Sequence, residues 1–128
     1  MVNYIALLVA TVVSYAMGML WYSPILFGKT WMRLTKVRSM KITLWIFIGG
    51  ILSAFVLCYV LAFVIQFSGV QTFIDGALIG VLLWLGFVAT LSLEKVLHEK
   101  TPWELYWINT IYHLIAMFVS GGILAIWQ

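Results

Sequence analysis

Four long apolar runs, at about residues 3–22, 42–67, 73–93 and 102–127, constrain this chain more than any other feature. A helix rises about 1.5 Å per residue, so about 20 residues cross a hydrocarbon layer about 30 Å thick. Helices satisfy their own backbone hydrogen bonds, so each run reads as a transmembrane helix. Composition agrees: 65% of the 128 residues are hydrophobic and 9% charged, against about 45–50% and 25% in a soluble domain. A chain of this length is one domain, and in water it could not bury that much apolar surface. The expected fold is all-α, a polytopic membrane protein with four transmembrane helices, and its first partner is the lipid bilayer.

The polar stretches between the runs carry their own signals. Met1-Val2-Asn3-Tyr4 holds no Lys or Arg and no A-x-A site follows, so the first run is expected to stay as a span rather than be cleaved. Trp21 and Tyr22 close that run and are read as membrane-surface rings. Ser23-Pro24 has the form of an N-cap and first helical position. From there to about residue 40, Lys29, Arg33 and Lys36 share one face of a helical wheel, and Phe27, Trp31 and Leu34 the other. That pattern predicts a short amphipathic surface helix over 24–40, with rings in the acyl region and cations among anionic lipid headgroups. A plain basic loop is the alternative. Thr72 and Asp75 fit a capping box, and Thr101-Pro102-Trp103-Glu104 starts the last helix at Pro102.

All seven Lys and Arg lie in two of the connections. Lys29, Arg33, Lys36, Arg38 and Lys41 separate the first two runs, and Lys95 and Lys100 the last two. The positive-inside rule makes that side cytoplasmic and sends both termini outside, in a plasma (bacterial inner) membrane. The formal charge of +3 is too small to indicate nucleic acid as a partner. Small residues recur every four positions, as Ala10, Ser14 and Gly18, as Gly50, Ala54, Cys58 and Ala62, and as Gly76 and Gly80. Such stripes let helices approach closely, and three of them predict a homo-oligomer.

Asn109 and His113 lie four residues apart in the last run, on one helix face. Counting residues from the run ends brings Ser14, Ser53, Trp84 and His113 to about the same depth, with Tyr15 and Tyr112 near it. Polar groups in hydrocarbon need partners, and ionisable ones turn inward. Two readings stand. In one, His113, Asn109, Trp84, Ser14, Ser53 and Tyr112 form a midplane site for a small ligand, proton or ion, since histidine can exchange a proton near neutral pH. In the other they are cross-helix hydrogen bonds that hold the bundle. Glu94 and His98 offer two metal ligands without a third, so no metal is expected and the charged stretch 94–100 reads as a turn of ion pairs. The lone Cys58 excludes an internal disulfide. No nucleophile elbow, Walker A loop, G-x-G-x-x-G or C-x-x-C is present, and no cofactor is indicated. Three functions remain: a self-associating structural or accessory protein, a small transporter or channel subunit with its site at His113, and a membrane-embedded enzyme acting on a lipid or quinone.

The segment Trp21-Tyr-Ser-Pro-Ile-Leu-Phe-Gly-Lys-Thr-Trp31-Met resembles the signature of a bacterial family of small four-span membrane proteins known only as a domain of unknown function. The stretch from Asp75 through Trp84 to Ala89 is similar to that family's third span, and Ile108-Asn109-Thr-Ile-Tyr112-His113-Leu to the start of its fourth. The resemblance implies four helices and no assigned activity. It singles out Trp21, Tyr22, Ser23, Pro24, Phe27, Gly28, Trp31, Asp75, Trp84, Asn109 and His113.

Overall fold

The computed structural model of the chain describes residues 2–37 and 43–128. Four helices in it are long and apolar enough to cross a membrane. The first is α1, Tyr4–Trp21, whose open N-terminal amides are capped by Asn3, with Oδ1 accepting from Ile5 and Ala6. A short helix α2 covers Gly28–Thr35, and α3 covers Leu44–Ser68. The third crossing is continuous from Phe73 to Glu99 in three parts: α4, Phe73–Leu83, a π-helical turn, Trp84–Ala89, and α5, Thr90–Glu99. The last is α6, Trp103–Ile126. No strand occurs among the described residues.

α6 is the hub. Half of its most apolar stretch is buried, against 22–28% for the other three spans. On one side it pairs with the third crossing. Gly76 stands opposite Gly121 and Gly80 opposite Met117, so tightly that a Cβ on either glycine would strike the facing backbone carbonyl. Further along the same antiparallel seam the Trp84 Nε1–H donates to the Thr110 carbonyl (2.7 Å), and the Tyr106 hydroxyl to that of Ala89 (3.1 Å). On its other side α6 meets α1 and α3. There the Ser14 and Ser120 hydroxyls are 2.7 Å apart, with Cys58 Sγ 4.0 and 3.8 Å from them. All three residues are buried, so one polar contact joins α1, α3 and α6.

The small-residue stripes are therefore occupied inside one chain. Ala10 and Ser14 are buried between helices, Gly18 faces the Tyr112 ring, Gly50 faces Tyr15, and Cys58 and Ala62 are buried. Because the monomer itself uses these close-packing faces, they no longer supply an argument for a homo-oligomer.

Several boundaries differ from the sequence reading. The charged stretch read as a turn is helical to Glu99; with the chain already helical, continuing it satisfies backbone groups that a turn would leave open. Pro102 caps α6 instead of opening it, and the helix starts at Trp103. Thr72 caps α4 as expected, its Oγ accepting from the Asp75 amide at 3.2 Å. The π turn had no sequence signal. It leaves carbonyls without their usual partners, and the Thr90 hydroxyl donates to that of Gly86 (2.7 Å) while Tyr106 serves Ala89.

The largest difference concerns 24–40. Ser23 does not cap a helix at Pro24; its hydroxyl donates back to the Leu20 carbonyl at 2.7 Å. Residues 23–27 form tight turns instead, through Phe27 N–H to Trp21 O (3.0 Å) and Gly28 N–H to Ser23 O (2.9 Å). Gly28 opens α2 because any Cβ there would collide with the Tyr22 carbonyl. Two rings of this segment meet the rings at the end of α1, Phe27 on Trp21 with ring centroids 4.5 Å apart and Trp31 edge-on to Tyr22 at 5.9 Å, while α2 itself lies against α6. These ring contacts tie the segment to the end of α1, although Phe27 itself stays exposed. Residues 38–42, which include Arg38, Lys41, the end of that predicted helix and the predicted start of the second span, lie outside the described residues.

Candidate functional site

The described Lys and Arg, namely Lys29, Arg33, Lys36, Lys95 and Lys100, follow the end of α1 or gather at the end of α5, next to the start of α6. This basic end of the bundle is where α3 begins. All of the buried side chains of α3, Cys58, Leu61, Ala62 and Ile65, lie in the half remote from that end. Its first half stands off from α1 and α6. One ring, that of Tyr15, props it there. Tyr15 sits over Gly50, where a Cβ would lie 2.6 Å from the ring, and meets Phe47 edge-on at 5.6 Å. Tyr112 fills the space over Gly18.

The gap is a cavity of about 520 Å³, within the usual range of small-molecule sites. Ser14, Tyr15, Gly18 and Tyr22 line it from α1 and the residue after it, Gly50, Ser53 and Leu57 from α3, and Tyr112, His113 and Ala116 from α6; Ser23 and Pro24 close its basic end. The contact of Ser14, Cys58 and Ser120 lies at its deep end.

Of the six residues read as a midplane site, four meet here: Ser14, Ser53, Tyr112 and His113. Asn109 stands behind the wall. Its side-chain oxygen accepts from the Tyr22 hydroxyl (2.7 Å), and its backbone carbonyl pairs with His113 Nδ1 (2.9 Å). Trp84 is on the opposite flank of α6, committed to Thr110. Equal depth placed it with the others, but depth says nothing of direction around a helix.

The residues read as membrane-surface groups divide in the same way. Trp21 is a cross-helix tie, its Nε1–H donating to the Ile108 carbonyl at 2.9 Å. Tyr22 is a cavity residue, edge-on to Tyr112 at 5.6 Å. Arg33 reaches Glu104 at the start of α6, with 3.4 Å between Nη2 and Oε2, in an exposed pair. Lys29 and Lys36 are exposed on α2 and at its end. Of the other cavity residues, Tyr15 was placed near the midplane depth without being named for the site, and Tyr22 was read as a membrane-surface ring. Tyr22 was visible, but an interface ring and a cavity ring look alike in sequence.

The profile of a family described as "protein of unknown function (DUF1761)" matches residues 5–125. The chain belongs to this family. Searches of curated proteins and of solved structures gave no match. For this DUF1761 member the stretch from Trp21 to Trp31 thus has a physical account in its own structure: ring contacts, a tight turn at Ser23-Pro24 and an obligatory glycine join the end of α1 to α2, which lies against α6.

Proposed function

We propose that this protein is a multi-pass membrane protein of the transporter or channel-subunit type, which binds a small lipid-soluble molecule between α1, α3 and α6 with His113 as its polar contact. The observation that carries the reading is the cavity itself, with His113, Tyr112, Ser14 and Ser53 in its wall. A structural bundle of this size gains packing energy by closing such a gap. In this reading the basic end is cytoplasmic, in a bacterial inner membrane, both termini are outside, and Lys29 and Lys36 lie among anionic headgroups.

Native mass spectrometry of the protein released from mild detergent, with His113→Ala beside it, tests this. The expected result is a bound small molecule on wild type that the variant loses. Identical spectra, with only variable lipid on both, would remove the proposal and favour the accessory-protein reading.

A further inference from the structure

The hydrogen bonds already made in the cavity wall fix what its polar atoms can still offer. His113 Nδ1 is 2.9 Å from the Asn109 carbonyl of its own helix. A carbonyl only accepts, so in the neutral ring Nδ1 carries the hydrogen and Nε2 keeps a lone pair. The Tyr112 hydroxyl donates to the Ser14 carbonyl at 2.8 Å. The Tyr22 hydroxyl donates to Asn109 Oδ1 at 2.7 Å, and that of Ser23 to the Leu20 carbonyl. Four polar groups of the wall have thus spent their hydrogens on the protein, and what each retains is acceptor capacity. No Asp, Glu, Lys or Arg is among the described residues lining the cavity. The rest of the wall is chiefly apolar and aromatic, apart from the hydroxyls of Tyr15, Ser14 and Ser53.

We infer that the cavity selects a lipophilic molecule headed by a hydrogen-bond donor, a hydroxyl or N–H group, which is received by His113 Nε2 and the tyrosine oxygens. This rests on the proposed binding function and narrows it to one ligand class. A ligand whose head only accepts, such as an ether, would meet lone pairs with lone pairs. It would have to rely on Ser53 or Tyr15, or break a bond inside the bundle.

The test uses two photoactivatable probes in vesicles containing the full-length protein: an alkyl diazirine ending in a phenol, and its methyl ether. Crosslinked peptides are mapped by mass spectrometry. The phenol is expected to label cavity-wall residues about fivefold more than the ether, the preference that one net hydrogen bond gives. His113→Phe should lower it toward the level of the ether, whereas His113→Gln, whose amide can accept, should retain more of the preference. Equal labelling of the cavity by both probes would leave the binding function standing and overturn the donor rule. Labelling of lipid-facing residues alone, by both probes, would overturn both. Independently of the variants, the ¹⁵N shifts of the His113 ring in wild type should show hydrogen on Nδ1 and a bare Nε2; the reverse tautomer would overturn the inference.

Discussion

The Tyr22 hydroxyl donates to the side-chain oxygen of Asn109 at 2.7 Å, while the backbone carbonyl of the same Asn109 holds His113 at 2.9 Å. One residue thus ties the end of α1 to α6 and sets the orientation of the histidine in the cavity. Because Trp31 packs on Tyr22, α2 is mechanically joined to the same point.

Breaking this tie should loosen the basic end. Tyr22→Phe and Asn109→Leu are each expected to cost about 1 kcal/mol, with a coupling of about 0.5 kcal/mol, in line with hydrogen bonds measured between membrane helices. Denaturant titration of the two single variants and the double variant in mixed micelles measures the coupling. Strict additivity would show that the two side chains do not interact.

The glycines should fall into two classes. Gly80→Ala forces a Cβ against the Met117 carbonyl, an overpacking expected to cost about 1–3 kcal/mol. Gly49→Ala meets nothing within 4 Å and should be neutral or slightly stabilising, since alanine favours helix more than glycine does. Thermal unfolding in detergent separates them, and equal effects would contradict the α4–α6 seam.

Trp84→Phe removes the donor to the Thr110 carbonyl. A loss of stability of about 0.6–1 kcal/mol is expected, with retention of whatever wild type binds in the native mass spectrum. Loss of the bound molecule would mean that Trp84 belongs to the site after all.

The Arg33–Glu104 pair is 3.4 Å long, with the two side chains 70% and 68% exposed. Glu104→Gln should therefore change stability by less than about 1 kcal/mol, and the difference should shrink as salt is raised. A large, salt-independent loss would indicate that α2 is held at the bundle mainly by this pair rather than by its rings.

Topology can be read by cysteine labelling, because the native Cys58 is fully buried and should stay silent. A membrane-impermeant maleimide should label Gln128→Cys in intact cells and Lys95→Cys only after lysis. The opposite pattern would reverse the proposed orientation.

How much could be read in advance differs from residue to residue. Thr72 was legible as a cap because capping depends on neighbours three residues away. Ser14 and His113 were legible as interior polar groups because hydrocarbon offers them no partner. Trp84 was misplaced because rise along a helix is predictable from residue count, whereas its angular position relative to three neighbours is not. Ser23-Pro24 misled for a related reason. Its local preference for a helix start was outweighed by ring contacts of Phe27 and Trp31 with the end of α1, which depend on how the chain folds back.

The sequence alone determined that this chain forms apolar helices able to span a membrane, with their basic residues gathered at one end. Hydropathy, length and charge act residue by residue against the solvent, so they need no knowledge of the fold. Only the tertiary structure decided that α6 is the hub, that the glycine stripes are used within one chain, and that α3 stands away to leave a cavity beside His113. Lipid is as apolar as the helices, so hydrophobicity cannot choose which faces meet. That choice falls to close backbone contact at Gly76 and Gly80, ring size at Tyr15 and Tyr112, and the few cross-helix hydrogen bonds available in hydrocarbon.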